Sequence, residues 1–102
     1  KNMILSANGQ NIYPEEIEAA VNNQPYIIES VVVNRGARLV ALVYADAEKA
    51  KAEGTDLEAY KAVIMAEVNK SMPSYSKINI VEYMDQPFEK TPKMSIKRFM
   101  YK

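Results

Sequence analysis

The sequence predicts an α+β domain: a small, mostly antiparallel sheet with two helices on one face, preceded by a short N-terminal hairpin. Three observations carry this reading. Two runs rich in β-branched residues, 26–34 and 38–45, flank Arg35-Gly36-Ala37 and read as a hairpin. Two stretches repeat apolar residues at helical spacing, first Ile17, Ala20 and Val21, then Leu57, Tyr60, Ile64 and Val68. A third alternating run, 77–83, follows the second helix and reads as a further strand.

Each element has a local cause. Met3-Ile4-Leu5 reads as a short strand, and Ser6 to Asn11 as a turn, because Asn8-Gly9 tolerates positive φ. Pro14 opens the first helix, where its missing N–H costs nothing. Glu15, Glu16 and Glu18 set negative charge near the positive end of the helix dipole. Asn22-Asn23-Gln24-Pro25 ends that helix. Residues 46–54, rich in Ala and Lys, suit either a short helix or a mobile loop. Thr55 and Glu58 form a capping-box pattern for a helix running to about Ser71, and Met72-Pro73 stops it. In the last strand, Ile78 and Ile80 fall on one face and Asn79, Val81 and Tyr83 on the other. Residues 85–92 form a polar, Pro-containing loop, and 95–101 are ambiguous.

Composition narrows the functional classes. The 102 residues make one small domain. Thirteen basic and 13 acidic residues cancel, which argues against nucleic acid as a partner. No Cys and no His are present, so thiolate chemistry and the commonest general base are excluded, and no metal site is expected. No transmembrane run or signal segment is visible. The chain starts at Lys1-Asn2-Met3 without an initiator Met and reads as a fragment cut near a domain boundary.

Two stretches carry more than local structure. The first is Asn8-Gly9-Gln10-Asn11-Ile12-Tyr13-Pro14-Glu15-Glu16-Ile17-Glu18. Its plain reading is a polar turn and a Pro-started helix. The second is Glu89-Lys90-Thr91-Pro92-Lys93-Met94-Ser95-Ile96-Lys97-Arg98-Phe99-Met100. Its plain reading is a solvated basic edge formed by Lys90, Lys93, Lys97, Arg98 and Lys102.

Together, and in this order, the two stretches resemble the signatures of the C-terminal lid of the acyl-adenylate-forming (AMP-binding) enzymes. Gly9, Ile12, Pro14, Glu16, Ile17 and Glu18 match the first in register. Glu89-Lys90-Thr91-Pro92 and Ile96-Lys97-Arg98-Phe99 resemble the variant of bacterial long-chain fatty acid–CoA ligases. The resemblance implies a C-terminal subdomain, residues 1–102, whose N-terminal ATP- and acyl-binding domain belongs to the same chain. It implies ATP, Mg²⁺ and CoA in the intact enzyme and none bound by the lid alone. It further implies a fatty acid substrate and a cytoplasmic location, with the inner membrane surface left open as a peripheral site. By the same resemblance the hinge residue falls on Lys1, and Ser6, Ala7, Asn8, Gly9 and Gln10 form the loop lining the CoA channel.

One position departs from the family. Its adenylation lysine immediately precedes the Ile, and that place holds Ser95. The lysine supplies positive charge to oxygens of the carboxylate and α-phosphate as pyrophosphate leaves, which a hydroxyl cannot do. Lys93 and Lys97 flank the position. In a strand, each would point to the same face as Ser95, about 6.6 Å along. Three readings remain: Ser95 is an introduced substitution, the protein is natural but impaired in adenylation, or a neighbouring lysine has taken over. A polar, non-perturbing residue at this place favours the first two. A freestanding α+β binding module is the alternative from another class, and it gives no reason for both motifs to occur in order.

Overall fold

The computed structural model describes residues 2–102. Strands β1 (Ile4–Leu5) and β2 (Asn11–Ile12) pair antiparallel as a small hairpin. Helix α1 (Pro14–Asn22) follows with Pro14 in its first turn. Strands β3 (Ile27–Arg35) and β4 (Arg38–Ala45) form the long hairpin, bulged between Ile27 and Glu29. Helices α2 (Ala47–Ala52) and α3 (Leu57–Asn69) cross over to β5 (Ile80–Tyr83). The sheet order is β3-β4-β5, with β4 and β5 parallel. A parallel neighbour needs such a crossover, and α2 with α3 supplies it.

Alternation along the strands builds two apolar layers. On the helix side, Val32, Leu39, Ala41, Val43 and Val81 pack with Ile12, Ile17, Val21, Ile64 and Val68. On the other side, Val31, Val33, Val40 and Leu42 pack with Phe88, Ile80, Ile96 and Tyr101. The second face is therefore covered by the chain after β5, where Phe88 and Tyr101 meet edge-to-face at 4.9 Å.

Several local expectations are resolved or corrected. Residues 46–54 are helical for six residues, capped by Asp46, whose carboxylate accepts the Lys49 N–H at 3.0 Å. The cap of α3 is Asp56 rather than Thr55: its carboxylate accepts the Glu58 N–H at 3.1 Å. The Thr55 hydroxyl is instead engaged by the Tyr26 hydroxyl at 2.9 Å. The last strand starts at Ile80: just before it the Asn79 N–H still donates to the Leu39 carbonyl at 2.8 Å, and side chains supply the other bonds. The Asn69 amide bonds both N–H and C=O of Ile78, and Asn79 accepts the Leu39 N–H at 2.8 Å. Outside the strand's alternation, Ile78 joins the helix-side layer with Val81 rather than the face of Ile80. Residues 95–101 resolve into one antiparallel bridge, Lys90 with Ile96, and a 3₁₀ turn at Arg98–Met100. Among the described residues, no helix is long and apolar enough to cross a membrane.

Candidate functional site

The loop of residues 6–10 closes the β1–β2 hairpin. Ser6 organises it: its N–H donates to the Gln10 carbonyl at 2.9 Å, and its carbonyl accepts the Gly9 N–H at 3.0 Å. The Ser6 hydroxyl also accepts the Gln10 N–H at 3.0 Å. Gly9 sits at φ +79°, and a side chain there would meet nothing within 4 Å. Glycine is used for its backbone conformation and not to relieve crowding. Ala7, Asn8, Gly9 and Gln10 are exposed, and Ser6 is half-buried. Beneath the loop lies a cleft of about 500 Å³ shared with Asn34, Gly36 and Ala37 of the β3–β4 tip and with Tyr75 and Lys77.

Residues 91–95 form a second, separate loop. The Met94 N–H donates to the Thr91 carbonyl and the Thr91 N–H to the Ser95 carbonyl, both at 2.8 Å. The Thr91 hydroxyl accepts the Ser95 N–H at 3.2 Å. These bonds hold Met94 at φ +66°, a conformation that L residues seldom adopt. Lys93, Met94 and Ser95 are exposed. The extended geometry assumed for this segment holds only beyond the turn. Ile96 packs against the inner layer, so alternation sets Ser95 and Lys97 on the opposite side. Lys93 occupies the turn itself, and strand spacing does not relate it to Ser95. Lys97 is half-buried, its N–H donating to the Glu89 carbonyl at 2.8 Å. The expected hinge residue, Lys1, lies outside the described residues.

The structure does not bring the two loops together. Loop 6–10 borders the cleft at the Asn34 end of β3. The base of the 91–95 turn is fixed to Glu29 near the other end, where the Lys90 ammonium sits 2.8 Å from one carboxylate oxygen and the Phe88 N–H donates to the other at 3.0 Å. The five-residue step from Glu29 to Asn34 amounts to roughly 16 Å of strand.

What ties the tail to α1 and β3 is a pair that sequence reasoning treated separately. Glu18 is 5% exposed and does not act as a solvated dipole partner. Its Oε2 accepts the Val32 N–H and an Arg98 N–H, each at 2.7 Å, and its Oε1 accepts a second Arg98 N–H. Glu18 thus satisfies a free edge group of β3 and receives a bidentate guanidinium from 80 residues away. The hydrogen bond to Glu18 holds the Arg98 pKa above its usual value, more than offsetting partial burial. The solvated-edge reading of the basic tail is accordingly wrong for Lys90 and Arg98. A signal was available: Glu18 lies four residues after Pro14 and three before Val21, on the stripe that α1 buries. A carboxylate there needs a cation, and the tail offered several.

The Asn2 backbone and side-chain N–H groups both donate to Glu15 Oε2, at 3.3 and 2.8 Å. Burial raises the Glu15 pKa, but the Asn2 bonds, with Arg98 beyond them, outweigh it and leave it lowered. Among the described residues no three acidic groups gather at metal-ligating distance.

Residues 1–101 match the family of AMP-binding enzyme C-terminal domains, and the chain belongs to that family. No curated protein matches it significantly in sequence. Among solved structures, apo MatB from Rhodopseudomonas palustris superposes with a TM-score of 0.76 at 20% identity, covering 98% of this chain and 19% of that one. The Mycobacterium tuberculosis fatty acyl CoA synthetase gives 0.71 at 22% identity, over 96% and 18%. The adenylation domain of a carboxylate reductase from Mycobacterium chelonae gives 0.79 at 20%, over 97% and 17%. The chain therefore spans less than a fifth of each of these structures, and at such identities they report the fold alone.

Proposed function

We propose that this chain is the mobile C-terminal domain of an AMP-forming long-chain fatty acid–CoA ligase. The observation that carries the reading is the pair of exposed loops at opposite ends of β3, built from the two stretches that resemble the family signatures. The wording Glu89-Lys90-Thr91-Pro92 and Ile96-Lys97-Arg98-Phe99 supports the fatty acid subtype. Family membership leaves the freestanding-module reading without a supporting observation.

Two half-reactions at one carbonyl need different groups beside it, and one frame with two loops can serve both by rotating. In the first, a fatty acid carboxylate oxygen attacks the α-phosphorus of ATP and pyrophosphate leaves. The 91–95 turn faces that reaction. In the second, the CoA thiol attacks the acyl carbonyl, loses its proton, and AMP leaves. Loop 6–10 then borders the thiol channel, with Ser6 ordering the loop and Gly9 allowing its sharp reversal. The ATP and acyl pockets belong to an N-terminal adenylation domain of the same chain, which also holds the Mg²⁺ that accompanies ATP. Ser95 offers a hydroxyl where a cation is wanted. Lys97, on the same outward side, is the better placed substitute, and Lys93 has the freer reach.

The test is AMP formation from ATP and palmitate by the intact ligase, with and without CoA, comparing Ser95 with Ser95→Lys. A gain of about 100-fold with lysine is expected, the scale of one preorganised charge donor. Full activity with Ser95 and no gain would transfer the role to Lys97 or Lys93. No activity in either form would overturn the ligase assignment.

A further inference from the structure

The 91–95 turn leaves the frame at Lys90 and returns to it at Arg98, with only Lys97 between Ile96 and that return. Its outgoing leg is held by Glu29. Its returning leg is held by the guanidinium of Arg98 on Glu18, a carboxylate already fixed by the Val32 N–H. A one-residue slip of the returning leg would turn Ser95 and Lys97 inward and Ile96 outward. An apolar pair could fill the same space with equal or better stability. A bidentate ion pair adds something an apolar pair lacks, a fixed orientation of both partners.

We infer that Arg98 is a positioning residue for the adenylation half-reaction: by locking onto Glu18 it sets the register in which the 91–95 turn presents its polar side chains. This rests on the ligase reading proposed above. Arg98 touches no reacting atom in this scheme. It acts through the turn, and its loss is expected in the turnover of the first half-reaction and not in the second, which uses loop 6–10.

The experiment takes the intact ligase carrying Ser95→Lys as its reference, so that adenylation is readable. Arg98→Lys, Arg98→Met and the pair Glu18→Gln with Arg98→Met are compared with it. The paired variant keeps an acceptor for the Val32 N–H while removing both the buried charge and the tether, so it preserves the fold where Arg98→Met alone weakens it. ATP–pyrophosphate exchange with palmitate is expected to lose about 100-fold in kcat in the paired variant, the scale of an ångström-level misplacement. KM for ATP and palmitate is expected to stay constant, and acyl transfer from supplied palmitoyl-adenylate to CoA to stay within about twofold. Arg98→Lys, which offers one bond in place of two, should fall between. Amide exchange at Thr91 and Lys97 should be at least about tenfold faster in the paired variant, reporting the freed turn. Unchanged exchange rates, or an equal loss in both half-reactions, would overturn the inference. If the reference itself makes no palmitoyl-adenylate, the ligase reading fails, and amide exchange alone decides whether Arg98 sets the turn.

Discussion

Arg98→Met is the substitution whose cost the structure defines most directly. It removes a guanidinium whose side chain is 27% exposed and leaves the Glu18 carboxylate, 7% exposed, with the Val32 N–H as its remaining hydrogen bond. Breaking one partner of a buried pair costs about 3–5 kcal/mol, because the other charge stays behind without compensation. The partial exposure of Arg98 sets the expectation at the lower end, about 3 kcal/mol. At about 4–8 °C per kcal/mol for a domain of this size, the unfolding midpoint should fall by roughly 12–24 °C. The assay is thermal unfolding of the 102-residue chain followed by circular dichroism. Glu18→Gln combined with Arg98→Met removes the stranded charge and keeps the Val32 bond, so it should recover to within about 1 kcal/mol of the parent. A loss below about 1 kcal/mol for Arg98→Met would mark the pair as an ordinary surface bridge. A paired variant as unstable as the single one would refute the stranded-charge argument.

Further expectations concern single sites. Gly9→Ala should cost roughly 1–2 kcal/mol from positive φ alone, since nothing crowds the added carbon. In the intact ligase it should slow acyl transfer to CoA while sparing adenylation, and equal rates would remove loop 6–10 from the second step. Tyr83 should ionise well above the usual tyrosine range in an alkaline titration followed by tyrosinate absorbance. Burial, then Tyr60, Glu58 and Asp56, push its pKa up to about 12. Its folded value lies above the unfolded one near 10, so the stabilisation is complete below about pH 10 and is lost as pH rises towards 12. If Tyr83→Phe leaves the titration step at about 12 in place, that assignment is wrong.

Much of the fold was legible because its causes are local. The β3–β4 hairpin follows from β-branched runs around Gly36, which adopts φ +63°. The start of α1 follows from Pro14, and the turn at 6–10 from Asn8-Gly9. The second candidate loop was legible as a motif but not as a shape. Its turn depends on the Thr91 hydroxyl and carbonyl reaching Ser95 and Met94, and on Lys90 pairing with Ile96. Strand spacing alone therefore misjudged where Lys93 stands relative to Ser95.

The sequence by itself determined the main helices and strands, the apolar stripes of α1 and α3 and the order of the two motif stretches. These depend on propensity, periodicity and turn chemistry within a few residues. The tertiary structure decided that β5 runs parallel to β4, that the tail covers the sheet's second face and that Glu18 meets Arg98. It also decided that the two loops stand at opposite ends of β3. Those choices join residues tens of positions apart, and they are made by which apolar faces and which buried charge the whole chain must satisfy at once.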